Sequence, residues 1–163
     1  MPDSVRRGVF AAVAAGNDNQ DACNVSPGST PEAMTVAASA SGDARAGYSN
    51  YGTCVDLYAP GSSITSAGLA SSTATSIRSG TSMASPHVAG MAALFKATYG
   101  DASSSVLSGR LLALTTAGAI TGNPAGTPNQ LLYKSSFWTR LIRATAVTPG
   151  PRRRPSPTPR EDA

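Results

Sequence analysis

The chain has 163 residues, of which 16 are glycine and 6% are aromatic. A chain of this length can bury one ordinary hydrophobic core, so we expect a single folded domain. No run of 18 apolar residues occurs, so the sequence predicts no membrane-spanning helix and no membrane partner.

The net charge of +4 is confined to the C-terminal end of the chain. Residues 138–163 contain six arginines and two acidic residues, whereas residues 1–137 contain seven basic and seven acidic residues. A neutral folded part, followed by a basic tail without interleaved aromatic residues, argues against nucleic acid as a partner.

The first half of the chain alternates short apolar runs with polar loops. Met1–Arg7 fits the end of a helix, and Gly8–Ala15 is an apolar run typical of a strand that is covered on both faces. A polar, turn-rich loop follows in Asn17–Pro31. Met34–Ala38 and Val55–Ala59 are two further apolar runs, so we expect a parallel sheet.

The second half of the chain predicts four elements. They are an extended arm at Ser72–Ser79, a helix from Thr81 or Ser82 to about Tyr99, a second helix at Ala102–Leu114 with Asp101 as its cap, and a last short strand at Asn129–Tyr133. Alternating strands and helices indicate an α/β fold. Five of the twelve prolines lie in residues 149–159 between arginines, a composition that cannot form a core. We therefore expect a folded part at 1–137 and a linker or disordered tail at 138–163.

The segment Gly80–Gly90 places a serine, Ser82, among small residues where the long helical pattern begins. A serine hydroxyl becomes a nucleophile when a base removes its proton and nearby donors stabilise the oxyanion. The N–H of Ser82, in the first turn of a helix, is one such donor. The side-chain amide of Asn17, at the carboxyl end of a buried strand, is a candidate for the second. From the residues alone, Ser82 could equally cap the helix, and Asn17 could simply occupy a turn.

Several ordered segments resemble the subtilases, the subtilisin-like serine proteases, in their proteinase K-like branch. They are Ala14–Asn19, Ser26-Pro27, Tyr48–Gly52, Val55–Gly61 and Gly80–Gly90. The resemblance covers roughly residues 5–135. It implies a subtilisin-like α/β fold with a parallel sheet, present as the C-terminal half of a three-layer α/β/α catalytic domain.

The resemblance also implies a function, that of a serine endopeptidase acting on protein or peptide substrates by acyl transfer. Ser82 would be the nucleophile, and its N–H together with Asn17 would form the oxyanion hole. Ala15 and Gly16 would form part of the wall of the substrate pocket. No cofactor is expected for catalysis, and the full-length form is expected to be a monomer.

The sequence does not supply the base that this chemistry needs. The single histidine, His87, lies five residues after Ser82, which places it some 140° around the helix axis. In subtilases, the histidine at this place is structural. The catalytic histidine and aspartate come from motifs N-terminal to the oxyanion strand that do not occur here, so we expect them in missing N-terminal sequence. The alternative is a catalytically inactive remnant, or a binding module, with the same fold.

Two cysteines, Cys23 and Cys54, and one histidine are too few soft ligands for a structural zinc site. The spacing of the two cysteines alone leaves open a disulfide or two free buried thiols. The subtilase resemblance implies a disulfide, as in aqualysin-like secreted members. A disulfide in turn implies export to an oxidising compartment, although the first residues show no secretory signal.

The resemblance further implies a structural calcium site. Asp56, with the backbone carbonyls of Pro31 and Ala33, matches the strong calcium site of proteinase K-like enzymes. One carboxylate and loop carbonyls are hard oxygen ligands, which suit calcium. The alternative is an aspartate in an ordinary turn.

Overall fold

The structure is a computed structural model that describes residues 2–133, so the predicted tail lies outside the described residues. The α-helices are α1 (Pro2–Arg6), α2 (Thr81–Tyr99) and α3 (Ser104–Ala113). The strands are β1 (Ala12–Ala14), β2 (Met34–Ala40), β3 (Ala44–Arg45), β4 (Leu57–Pro60), β5 (Ile64–Ala67), β6 (Thr75–Arg78), β7 (Thr116–Ala117) and β8 (Gln130–Leu131). Among these residues, no helix has the length and apolar character needed to cross a membrane.

Most of the strands form one sheet with parallel central strands. The order in the described part of the chain is β1–β2–β4–β8–β7, and β3 pairs with the end of β2. Strands β1, β2, β4 and β8 pair in parallel, whereas β3 and β7 are antiparallel to their neighbours. Six of the seven residues of β2 are buried, as expected for a parallel strand covered on both faces. The predicted α/β fold with a parallel sheet is confirmed.

Helix α2 covers one face of this sheet and contacts β1, β2 and β4. Its buried residues follow helical spacing: Thr81, Ala84, Val88, Met91, Ala92 and Phe95. Helix α3 packs against α2 with Leu107 and Leu111 fully buried. Because β2 consists largely of alanine and other small residues, the helix can approach the sheet closely.

The opposite face of the sheet has a second, smaller core, which contains Ala37, Val55, Tyr58 and Ile120. Tyr58 is fully buried, and its hydroxyl donates to Oδ1 of Asn123 at 2.8 Å. Burial raises the pKa of Tyr58 to about 12, so the phenol stays neutral. Loops and a 3₁₀ turn, rather than an α-helix, cover this face in the described residues.

Some element boundaries differ from the predictions. Strand β1 is shorter than predicted, because Gly8, at φ 90°, turns the chain out of α1 before the strand begins. Helix α3 is capped by Ser103, whose Oγ accepts from the Val106 N–H at 3.4 Å. The predicted cap, Asp101, is wrong: its carboxylate lies 2.6 Å from the Lys96 Nζ instead.

A disulfide joins the loop after β1 to the segment before β4. The sulfur atoms of Cys23 and Cys54 are 2.08 Å apart, so the disulfide that the resemblance implied is present. Beside it, the Tyr51 N–H donates to Gln20 O at 3.0 Å, and the Ala22 N–H donates to Tyr51 O at 2.8 Å. The disulfide therefore reinforces two segments that already share backbone hydrogen bonds.

We expect the double substitution Cys23→Ser and Cys54→Ser to lower the free energy of unfolding by roughly 3–4 kcal/mol, because the bridge closes a loop between residues 31 apart. Urea unfolding followed by circular dichroism measures the difference. A reducing agent should destabilise the parent protein and leave the double variant unchanged. Equal stability of parent and variant would contradict this prediction.

Candidate active site

The turn that leads into α2 depends on two glycines. Gly80 has a φ of 154°, a backbone conformation that favours glycine. Its N–H donates to Gly61 O at 2.8 Å, and the Tyr48 hydroxyl donates to the same carbonyl at 2.9 Å. A Cβ on Gly61 would lie 2.6 Å from Ala38 Cβ and 2.9 Å from Gly80 O. This turn can therefore pack against β2 only with glycine at position 61.

Ser82 is the second residue of α2 and is exposed. The first N–H groups of a helix have no acceptor within it and form the positive end of its dipole. The Thr81 N–H bonds to a side chain, and the Met83 N–H bonds to Gly80 O. Among residues 2–133, neither the N–H nor the hydroxyl of Ser82 has a hydrogen-bond partner. Ser82 thus presents a hydroxyl and a free donor at one exposed helix end.

The side-chain amide of Asn17 is fixed at the same helix end. Its Oδ1 accepts from the Thr81 N–H at 2.8 Å and from the Thr81 hydroxyl at 3.0 Å. Since a backbone N–H can only donate, the atom facing Thr81 is the oxygen, and Nδ2 is turned away from Thr81. Oδ1 and Nδ2 lie 3.6 and 3.7 Å from the position that a Cβ on Gly80 would take. The structure thus places Asn17 beside the turn that carries Ser82, 65 positions further along the chain.

Thr81 is a residue of this site that sequence reasoning missed. It is fully buried, and its hydroxyl accepts from the Gly16 N–H at 3.1 Å while it donates to Asn17 Oδ1. The hydroxyl therefore connects the end of β1 to the start of α2. A hydroxyl residue directly before Ser82 at the helix start was the available sequence signal.

Ala15 and Gly16 continue from β1 toward Asn17. Ala15 is fully buried, and its N–H donates to Val36 O at 3.0 Å. Gly16 has a φ of 103°, and a Cβ there would lie 2.3 Å from the Nδ2 atom of Asn50. Position 16 therefore requires glycine. That these two residues form the wall of a substrate pocket stays a prediction.

His87 makes its described hydrogen bond within α2. The Nδ1 atom lies 2.8 Å from Met83 O, and because a carbonyl oxygen only accepts, Nδ1 carries the proton. His87 and Ser82 both line a cleft of about 320 Å³ together with residues 64–66 of β5. Within residues 2–133, no hydrogen bond joins His87 to Ser82. That His87 is structural rather than the base stays a prediction.

Asp56 lies in a separate, small cavity of about 190 Å³ that Pro31 and Ala33 also line. Its Oδ2 accepts from the Thr35 N–H at 2.6 Å. Burial raises the pKa of the Asp56 carboxyl, and the hydrogen bond from Thr35 opposes this in part. The described residues contain no group of three or more His, Cys, Asp or Glu suited to a metal. In the part of the chain that the structure describes, the Asp56 carboxylate is the one charged group that lines this cavity, and the other oxygens of its lining residues are hydroxyls and backbone carbonyls. Hard oxygen ligands of this kind suit calcium.

The model of the Subtilase family matches residues 3–139 of the sequence. The chain belongs to the subtilase family. It is 53% identical over 128 residues to the subtilisin-like serine protease AsES of Sarocladium strictum, covering 78% of this chain and 32% of that protein. It is 50% identical over 131 residues to an extracellular serine proteinase of Thermus sp. strain Rt41A, covering 80% of this chain and 32% of that protein.

The subtilase fold is also found among solved structures. A cold-adapted subtilisin-like serine proteinase superposes with a TM-score of 0.76 and 41% sequence identity, over 83% of this chain and 48% of that chain. The resemblance stated from the sequence motifs is therefore confirmed. This subtilase chain spans about a third of the length of the curated relatives it matches.

We expect Gly61→Ala to lower the free energy of unfolding by about 1–3 kcal/mol, because the added methyl group must displace Ala38 or the Gly80 carbonyl. Gly90→Ala is the matched control. Gly90 lies on the exposed side of α2 with nothing within 4 Å of an added Cβ, so alanine there should be neutral or stabilising by up to about 1 kcal/mol. Denaturant unfolding of both variants gives the comparison. Equal stability of the two would contradict the close packing of the turn.

Proposed function

We propose that this subtilase is a serine-type endopeptidase that cleaves protein or peptide substrates by acyl transfer through Ser82. One observation carries the proposal: Ser82 presents a hydroxyl and an N–H, both without a partner among residues 2–133, beside the anchored amide of Asn17 at the positive end of a helix. This arrangement suits a nucleophile with two oxyanion donors.

In the proposed reaction, Ser82 Oγ attacks the carbonyl carbon of the scissile peptide bond while a base removes the hydroxyl proton. The oxygen of the tetrahedral intermediate accepts hydrogen bonds from the Ser82 N–H and from Nδ2 of Asn17. The C–N bond then breaks, and the protonated base gives its proton to the leaving amine. Water attacks the acyl-Ser82 ester by the same route and releases the new carboxyl group.

In this proposal the base and its orienting aspartate lie outside the described residues, in sequence N-terminal to β1. The motifs that carry them in subtilases do not occur in the chain, and His87 is engaged by the backbone of its own helix. The absence of a base beside Ser82 among residues 2–133 also favours a second candidate, a subtilase fold that is catalytically inactive or serves as a binding module.

We also propose that the protein is secreted, that it carries a structural calcium ion, and that it is a monomer in its full-length form. Secretion is supported by the Cys23–Cys54 disulfide and by the name of the Thermus relative, an extracellular proteinase. Asp56, with the carbonyls of Pro31 and Ala33, would hold the calcium ion. Such an ion would neutralise a half-buried carboxylate and tie together the loops around it.

Labelling with a fluorophosphonate tests the proposed nucleophile. We expect the 163-residue protein to be modified selectively at Ser82, but slowly, because no residue in the part of the chain that the structure describes is hydrogen-bonded to Ser82 as a base. Asn17→Ala should slow labelling about 100-fold, the size of effect that loss of one oxyanion donor produces in this family. Peptide mapping by mass spectrometry identifies the modified serine.

Two control variants sharpen this labelling experiment. Ser82→Ala should abolish the reaction, whereas Ser66→Ala, at an exposed serine in the same cleft, should leave it unchanged. If the probe shows no preference for Ser82, the assignment of Ser82 as the nucleophile is contradicted and the catalytically inactive candidate is favoured. Fast labelling, with a pH profile whose midpoint lies near neutral pH, would instead show that the chain contains its own base.

Calcium should stabilise the parent protein and not Asp56→Asn. At a free calcium concentration 100 times its dissociation constant, binding adds about 2.7 kcal/mol to the stability. The asparagine keeps an acceptor for the Thr35 N–H but removes the charge that a cation needs. Thermal melting with calcium chloride or with EDTA measures the effect. Asp43→Asn, at an exposed aspartate, is the control and should keep the calcium response. An equal calcium response in Asp56→Asn would refute the site.

Without calcium, the same aspartate should make the stability depend on pH. Burial raises the pKa of Asp56 in the folded protein, so the folded state binds its proton more tightly than the unfolded chain does. This carboxyl therefore lowers the stability as the pH rises above its ordinary pKa and through its raised folded pKa. Asp56→Asn should remove that decline, so in EDTA at neutral pH the variant should be at least as stable as the parent. A variant less stable than the parent in EDTA would contradict this.

A further inference from the structure

The side chain of Asn50 is fully buried beneath the loop that carries Asn17. Its Oδ1 accepts from the Asp18 N–H at 3.0 Å and from the Gln20 N–H at 3.1 Å. Its Nδ2 donates to Ala15 O at 2.9 Å. One carboxamide thus binds the backbone on both sides of Asn17 and leaves none of its own polar atoms unsatisfied.

The backbone of Asn50 binds the same loop. Its N–H donates to Gly16 O at 2.9 Å, and the Gly16 Cα approaches so closely that a Cβ there would lie 2.3 Å from Asn50 Nδ2. The residues bound by Asn50 are therefore 15, 16, 18 and 20, and Asn17 lies between the first two and the last two of them. Neighbouring contacts extend this attachment, since Arg45 Nη2 donates to Asn19 Oδ1 at 2.9 Å.

Asn17 itself is exposed, and in the described residues its side chain is anchored through Oδ1 to Thr81 alone. An exposed side chain with a single anchor keeps its place only if its backbone is held. We infer that Asn50 is a positioning residue, which holds the backbone of the loop 15–20 so that the carboxamide of Asn17 meets Thr81 at the start of α2.

For catalysis, this inference rests on the proposed function, in which Asn17 is an oxyanion donor. Such donors stabilise the transition state because they are in place before negative charge develops on the substrate oxygen. A displacement of about 1 Å can slow a reaction about 100-fold. Asn50 is fully buried, and in the described residues it makes no hydrogen bond to Ser82. Its effect on the oxyanion hole would therefore pass through the loop that carries Asn17.

Hydrogen exchange of the Thr81 N–H tests the position of Asn17 without requiring hydrolysis. This N–H donates to Asn17 Oδ1, and in the described residues no hydrogen bond joins it to Asn50. The Met83 N–H, which bonds to Gly80 O in the same helical turn, is the internal reference. We expect Asn50→Ala to accelerate exchange at Thr81 relative to Met83 by at least about tenfold, approaching the value for Asn17→Ala.

Asn129→Ala is the matched control. The carboxamide of Asn129 also binds backbone through both of its polar atoms, accepting from the Ile120 N–H and donating to Ile120 O, each at 2.9 Å. Asn129 lies outside the loop of Asn17. Its loss should therefore lower the free energy of unfolding without changing the ratio of the exchange rates of the Thr81 and Met83 N–H groups. An equal rise of that ratio in Asn129→Ala, or no rise in Asn50→Ala, would overturn the inference.

Asn50→Ser replaces Asn50→Ala in the exchange experiment if the alanine variant does not fold. A serine hydroxyl keeps the cavity polar but is too short to reach Asp18, Gln20 and Ala15 together, so the same rise of the exchange ratio is expected. An unchanged ratio in a folded Asn50→Ser protein would overturn the inference equally.

The fluorophosphonate reaction separates this inference from the proposed function. If the parent is not labelled at Ser82, the proposed function fails, and the exchange ratio still decides whether Asn50 positions Asn17. If the parent is labelled, Asn50→Ala should slow labelling by roughly 10- to 100-fold when Asn17 is present and cause no further loss in an Asn17→Ala background. Equal slowing in both backgrounds would show a general structural role and overturn the inference.

Discussion

The hydrogen bonds between Thr81 and Asn17 are the constraint on which the rest of this structure depends. A helix leaves its first N–H groups without partners, and a buried helix start must find acceptors for them. Here a side chain that follows β1 accepts from the Thr81 N–H, while the next N–H, that of Ser82, has no partner among residues 2–133. Two elements distant in sequence are thereby joined at the point where the proposed nucleophile and the proposed oxyanion donor lie.

This junction explains why small residues are required around it. A Cβ on Gly61 would meet Ala38 and the Gly80 carbonyl, whereas a Cβ on Gly16 would meet the side chain of Asn50. Gly16 and Gly80 also adopt positive φ values, a backbone conformation that favours glycine. The Gly-rich composition is thus partly a consequence of the site.

Apolar periodicity was sufficient to predict the main elements, because β2, β4 and α2 bury continuous or helically spaced apolar residues. Short strands such as β3 and β7 could not be predicted. They contain two residues each and exist because a neighbouring strand lies beside them. The cap of α3 was mispredicted because the helix begins at Ser104 and not at Ala102, which makes Ser103 the residue before it. Serine and aspartate are both common cap residues, so residue type alone did not decide between them.

The candidate site was predictable where its residues form a contiguous motif and not where they act across the sequence. Ser82 and Asn17 lie in recognisable segments, whereas the contacts of Asn50 become visible once the chain is folded. The contacts of Asn50 arise from the way the chain connects two strands of the sheet. Parallel strands β2 and β4 require a crossover, and in this chain the crossover, residues 41–56, is not an α-helix. Without a helix, its polar groups must bond to neighbouring loops, and the loop after β1 lies beside it. The crossover that builds the sheet therefore also supplies Asn50 and Cys54, and the loop that carries Asn17 is held by the same segment that connects β2 to β4.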